Sequence, residues 1–134
     1  MLVNTEIKDR IAYVEMQNAD HFNCLSEQMC TELIAALDEA YTSECVGVVL
    51  KAQVKKGVWS AGHDIRELPL DGSDPLGFDV PMEKLMRAVQ DVPIPVIACV
   101  SGTVWGGAHT ATFAITPAKI GIPYNASGIL HFIN

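Results

Sequence analysis

The run Ser60, Ala61, Gly62, His63, Asp64, Ile65 sets a glycine among small residues and follows it with a histidine and an acid. It comes soon after the apolar residues 46–50 and leads through Arg66, Glu67 and Leu68 to Pro69. A glycine placed there lets the backbone approach a ligand closely and leaves N–H groups free to donate, which is the layout of an anion hole. A second run, Gly102, Thr103, Val104, Trp105, Gly106, Gly107, Ala108, follows another apolar stretch, residues 96–100. Two strand ends, each closing in a glycine-bearing loop, could aim one N–H apiece at the same oxygen. Paired donors of this kind stabilise an oxyanion, and losing one typically costs roughly 2.7–4 kcal/mol of transition-state stabilisation. Each loop also has a plainer reading as a turn. His63 then becomes a surface histidine, Asp64 the cap of the turn that follows, and Tyr124 a core-edge residue with a wet hydroxyl. Trp105 reads as packing, and His109 takes no role.

The elements that must position these loops follow from periodicity. Residues 2–7 and 11–16 alternate apolar and polar around Lys8, Asp9 and Arg10, which predicts a hairpin. Residues 17–25 form a polar loop holding Asp20, His21, Phe22, Asn23 and Cys24. Ser26 then caps a helix to about Ala40, with Met29, Leu33, Ile34, Leu37, Ala40 and Tyr41 on its buried face. Residues 46–52 are nearly all apolar, as in a strand covered on both sides, and Lys51, Lys55 and Lys56 flank a turn. Residues 71–79 are a Gly, Pro and Asp rich excursion. Pro81 opens a second helix that buries Met82, Leu85, Met86 and Val89. Residues 91–95 break it before the strand at 96–100. This order implies an α/β layered fold with right-handed connections. After Ala108, residues 109–115 read as extended, Thr116 and Pro117 turn the chain, and residues 126–133 are an apolar segment expected to be covered by something further.

At 134 residues the chain is long enough for one domain, and its apolar fraction of 49% suits a buried core. A net charge of −7 argues against nucleic acid or an anionic membrane as partner. No apolar run approaches the roughly 20 residues of a membrane span, and the first six residues lack a secretion-signal layout, so a cytoplasmic protein is expected. The four cysteines, Cys24, Cys30, Cys45 and Cys99, form no C-x-x-C pair and have no histidine at metal-ligand spacing. All four read as reduced, with Cys30 and Cys99 inside apolar patterns, and no metal site is expected.

With the loops laid out, the chain resembles the crotonase (enoyl-CoA hydratase/isomerase) superfamily. The resemblance spans essentially all 134 residues but only the amino-terminal half of a usual member. Its landmarks are Phe22, Asn23, Cys24 and Leu25, then residues 60–65, 100–108 and 113–121. It implies a single partial domain, residues 1–134, with a truncated crotonase-like spiral of β-β-α units. It also implies that the N–H groups of His63 and Gly107 hold a thioester oxygen, while Ala61, Gly62, His63, Asp64 and Ile65 line the CoA adenine and pantetheine. Coenzyme A arrives as part of the substrate, so no separate cofactor is implied. The resemblance implies a homo-oligomer, the family packing into trimers or pairs of trimers through the carboxy-terminal half that the match does not cover.

Hydration in this superfamily needs two glutamates, since adding water to a double bond is general acid–base work. Where they belong, this chain has Thr110 and Pro117. The His63 loop with Glu67, Leu68 and Pro69, the Trp105 to Ala108 run, and Thr116, Pro117, Pro123, Tyr124 and Asn125 are instead similar to the methylmalonyl-CoA decarboxylase branch. Decarboxylating a 2-carboxyacyl thioester leaves an enolate and needs no base to begin, only an oxyanion hole and a carboxylate turned out of the thioester plane. By resemblance Tyr124 would orient that carboxylate, with Thr116 nearby. The family's second donor opens a helix, whereas here Gly107 and Ala108 run into β-branched residues, as though on the order of a dozen residues were absent (one helix at ~1.5 Å per residue, and a strand). Three readings follow: a decarboxylase, a hydratase or isomerase on enoyl-CoA, and a truncated relative that only binds acyl-CoA or a full-length partner.

Overall fold

The computed structural model describes residues 1–73, 77 and 79–104. Strands β1 (Val3–Lys8) and β2 (Ile11–Met16) form the expected antiparallel hairpin, with Asp9 and Arg10 both at positive φ in its two-residue turn. Alternation along β2 buries Ala12, Val14 and Met16 on one face. Helix α1 (Glu27–Thr42) starts where Ser26 accepts the Met29 N–H at 3.2 Å, and it runs two residues past the expected end. Its buried stripe is Met29, Cys30, Leu33, Ala36, Leu37 and Ala40. Tyr41, expected on that stripe, is 53% exposed, because the stripe follows the 33, 36, 37, 40 spacing and Tyr41 falls beyond its edge.

Strand β3 (Gly47–Ala52) pairs parallel with β2, and β5 (Val96–Ala98) pairs parallel with β3, so the main sheet runs β1-β2-β3-β5. Strand β4 (Val58–Ser60) and strand β6 (Thr103–Val104) make a second, parallel pair. Helix α2 (Pro81–Asp91) has its proline at the first turn and buries Met82 and Leu85; Met86 and Val89 are half-buried. From β3 onward the chain repeats one scheme, a strand in the large sheet and then a strand in the small one, with α2 between the repeats. Helix α1 lies on β1, β2 and β3 and against α2, and one cluster joins Val14, Met16, Leu33, Leu37, Val48, Trp59, Leu85 and Val96.

The short strands depart from expectation. Residues 58–60, for which the sequence predicts no element, are a buried strand, and the strand at 96–100 ends at Ala98, leaving Val100 41% exposed. Cys99, read as packed, is exposed, while Cys24, Cys30 and Cys45 are buried; all four are free. The extended segment at 109–115, the turn at Thr116 and Pro117, and the apolar segment at 126–133 lie outside the described residues. Among the described residues no helix is long and apolar enough to cross a membrane, and no group of acids, histidines and cysteines is placed to hold a metal ion.

Candidate functional site

Two loops meet beyond the ends of β2 and β4. The first carries Phe22 and Asn23, both left-handed at φ 53° and 48°, after the short 3-10 turn Ala19–His21. Asn tolerates this region because its side chain finds local hydrogen bonds, and here they are complete. The fully buried Asn23 carboxamide accepts the Asn18 N–H at 2.8 Å and donates to the carbonyls of Gln53 at 2.7 Å and Trp59 at 3.0 Å. One side chain therefore ties together the chain after β2, the chain after β3, and β4 itself.

The second loop leaves β4 at Ser60 and is laced to the first. Ser60 Oγ donates to the Asn23 carbonyl at 2.9 Å and accepts the Gly62 N–H at 3.2 Å. Ala61 N–H donates to the Phe22 carbonyl at 2.8 Å, and the Gly62 carbonyl accepts Leu25 N–H at 2.7 Å. Leu25 and His63 form a parallel bridge in which the residues flanking His63 face Leu25, so the His63 N–H is turned away. No described residue accepts that N–H. Gly62, at φ +77°, supplies the bend that makes this possible.

Asp64 anchors the far side of His63. It is 5% exposed and caps the 3-10 turn Ile65–Glu67 through the Arg66 N–H at 3.0 Å, as its plainer reading anticipates. Arg66 grips it in a fork, Nε to Oδ1 at 2.9 Å and Nη2 to Oδ2 at 2.7 Å, and the Cys24 thiol donates to Oδ2 at 3.6 Å. The Arg66 hydrogen bonds hold the Asp64 carboxyl well below the ordinary carboxylate range against the opposing effect of burial. Burial, and then the Asp64 charge, push the Cys24 thiol up, and burial takes Cys30 to about 12, so neither is an activated nucleophile. Glu67 accepts the Glu27 N–H at 2.8 Å, placing a carboxylate on the first turn of α1 and fastening the loop to that helix. His63 Nδ1 lies 3.0 Å from the Asp64 carbonyl; a carbonyl only accepts, so the proton is assigned to Nδ1, leaving Nε2 bare in the neutral ring.

Of the residues singled out from the sequence, Ala61, Gly62, His63, Asp64 and Ile65 form one continuous turn. Ala61 is half-buried, Gly62 and Asp64 are buried, and Ile65 is 77% exposed beside them. Gly107, Thr116 and Tyr124 lie outside the described residues. The approach to the second glycine run is described: Trp59 Nε1 donates to the Cys99 carbonyl at 2.9 Å, and Thr103 N–H donates to Gly57 at 2.7 Å. Sequence reasoning gave no role to Asn23 or Ser60. Their signal was present in residue type, an asparagine following a bulky aromatic in a polar loop and a serine two residues before a glycine.

The sequence pattern of the enoyl-CoA hydratase/isomerase family matches residues 6–125, which include both loops. The chain belongs to that family. Within it, methylmalonyl-CoA decarboxylase of Escherichia coli K12 is 37% identical over 140 residues, covering 95% of this chain and 54% of the relative. That stretch is longer than the chain's own 134 residues, so the chain is the shorter of the two where they match. A zebrafish enoyl-CoA hydratase domain-containing protein 3 is 36% identical over 104 residues, covering 75% of this chain and 35% of that one. Among solved structures, a methylmalonyl-CoA decarboxylase in complex with 2-nitronate-propionyl-CoA superposes at a TM-score of 0.78 with 34% identity, covering 96% of this chain and 55% of the other. A second, complexed with 2S-carboxypropyl CoA, gives the same score. The α/β arrangement of β-β-α units is thus of the crotonase type, and the chain spans about half the length of these relatives.

Proposed function

We propose that the chain binds an acyl-CoA thioester with its carbonyl oxygen on the His63 N–H, and that its reaction is decarboxylation of methylmalonyl-CoA to propionyl-CoA. The observation carrying this reading is the unspent His63 amide in a turn whose two preceding amides, Ala61 and Gly62, are engaged within the protein. In the reaction the bond from Cα to the carboxylate breaks and carbon dioxide leaves. The electron pair enters the thioester as an enolate whose oxygen the amide stabilises, and a proton then closes Cα. Gly107 is assigned the second donor and Tyr124 the orientation of the departing carboxylate, both by family resemblance. The decarboxylase relative supports this choice of substrate, and Thr110 and Pro117, standing where a hydratase carries its acids, weigh against hydration. Incubating the purified chain with methylmalonyl-CoA and following propionyl-CoA by mass spectrometry tests it. Turnover above buffer that Gly107→Pro abolishes is expected.

A second reading is favoured by the chain's spanning only 54% of the decarboxylase: a protein that binds acyl-CoA, or a full-length relative, without turnover. Calorimetry with propionyl-CoA showing heat of binding, together with no product in the first assay, selects it.

A further inference from the structure

We propose that Ser60 and Asn23 are positioning residues: Ser60 Oγ engages the Gly62 amide and Asn23 fixes Ser60, so that the His63 N–H beside them keeps its direction toward the ligand. This rests on reading His63 as the oxyanion donor. Three consecutive amides enter the turn in order, those of Ala61, Gly62 and His63. The first is engaged by the Phe22 carbonyl at 2.8 Å and the second by Ser60 Oγ at 3.2 Å. Ser60 Oγ keeps its lone pair toward Gly62 because its proton goes to the Asn23 carbonyl at 2.9 Å. Asn23 in turn is fixed by three hydrogen bonds to the backbone at residues 18, 53 and 59. Both side chains are buried, Ser60 at 3% and Asn23 at 0% exposure, so water does not readily replace either partner. A donor that must meet a developing charge gains most when its direction is set before the ligand arrives, and this relay sets it. The chain of contacts runs from the Asn23 carboxamide through its own carbonyl to Ser60, then to the Gly62 amide and the His63 amide beside it.

Amide hydrogen exchange on the wild-type chain, resolved residue by residue by NMR, reads this directly. Without ligand, the Ala61 and Gly62 amides should exchange at least about tenfold more slowly than His63, and propionyl-CoA should slow His63 while leaving the other two unchanged. Equal exchange at Gly62 and His63 in the free protein overturns the proposal. The isotope-edited infrared band of carbonyl-labelled propionyl-CoA adds a readout that a purely structural role would not move. Wild type should shift the bound carbonyl to lower frequency, and Ser60→Ala should lose most of that shift with affinity held within about threefold, because CoA contacts are retained. Ser60→Cys, which keeps a weak donor and acceptor in similar volume, serves if the alanine variant does not fold, and it should restore part of the shift. A wild-type shift that both variants retain overturns the positioning role alone. Bound ligand with no shift in wild type overturns the oxyanion reading together with it.

Discussion

Asn23 is the residue on which the two loops depend. Alanine there would deprive the buried Trp59 carbonyl and the part-buried Asn18 amide and Gln53 carbonyl of their Asn23 partner and would keep a φ of 48° that asparagine tolerates better. An unpaired buried group costs about 1–3 kcal/mol and groups nearer solvent less, so Asn23→Ala should lose about 2 kcal/mol or more of stability in urea titration. A loss under about 1 kcal/mol would show that the three bonds are individually weak. Asp64 makes a second prediction, through pH. Its folded carboxyl titrates below its ordinary 3.8, so its contribution is fully present above that pH and drains away as pH falls through the folded value. Arg66→Ala removes the largest cause of the depression while burial, which raises the value, remains. The variant should be less stable than wild type at pH 7, and the gap should narrow as pH falls below 3.8, seen as urea midpoints measured from pH 7 down to about 2.5. Superimposable pH profiles would mean the mostly exposed guanidinium is screened by solvent.

At the scale of elements, the hairpin, both helices and β3 were legible because each carries a full period of alternating or helical apolar residues, or a cap such as Ser26. Strand β4 was not. Val58, Trp59 and Ser60 are all buried, so three residues show no alternation, and the lysines before them look like solvent. The strand exists through its partners: Trp59 to Cys99, Asn23 to Trp59, and the parallel pairing with β6. That pairing rests on a glycine whose necessity sequence alone did not reveal. Gly102 sits at φ +88°, and a β-carbon there would overlap the Gly57 carbonyl oxygen and stand 3.0 Å from its carbon. Gly57 shares the left-handed conformation at φ +72° but has open space around it. The two alanine variants therefore separate strain from collision. Gly57→Ala should cost only the left-handed penalty of about 1 kcal/mol, and Gly102→Ala clearly more, about 2 kcal/mol or above, with loss of the Thr103 amide's protection from exchange. Equal losses would place the whole effect in φ.

For the molecule as a whole, the candidate turn at 61–65 was legible as residue types in a stretch, while its mechanism of assembly was not. The glycines and His63 lie close in sequence, but the contacts that leave one amide free come from residues some forty positions earlier, in a loop with no periodic signal. The chain's relation to its relatives makes the global consequence measurable. If the described half holds the thioester oxygen, the ligand stabilises the native state by mass action, by about 2.7 kcal/mol at a hundred times its dissociation constant. A CoA thioether, in which a methylene replaces the acyl carbonyl, keeps every contact of the nucleotide and pantetheine and loses only the acceptor for the His63 N–H. A neutral amide-to-carbonyl bond of this kind is worth about 1 kcal/mol, roughly fivefold in affinity. At equal concentration, propionyl-CoA should therefore raise the thermal midpoint above that reached with its thioether, and the gap should persist in Tyr124→Phe, which leaves the amide intact. Equal midpoints with both ligands, each above the free protein, would mean that this half of the fold grips the coenzyme and leaves the carbonyl unheld.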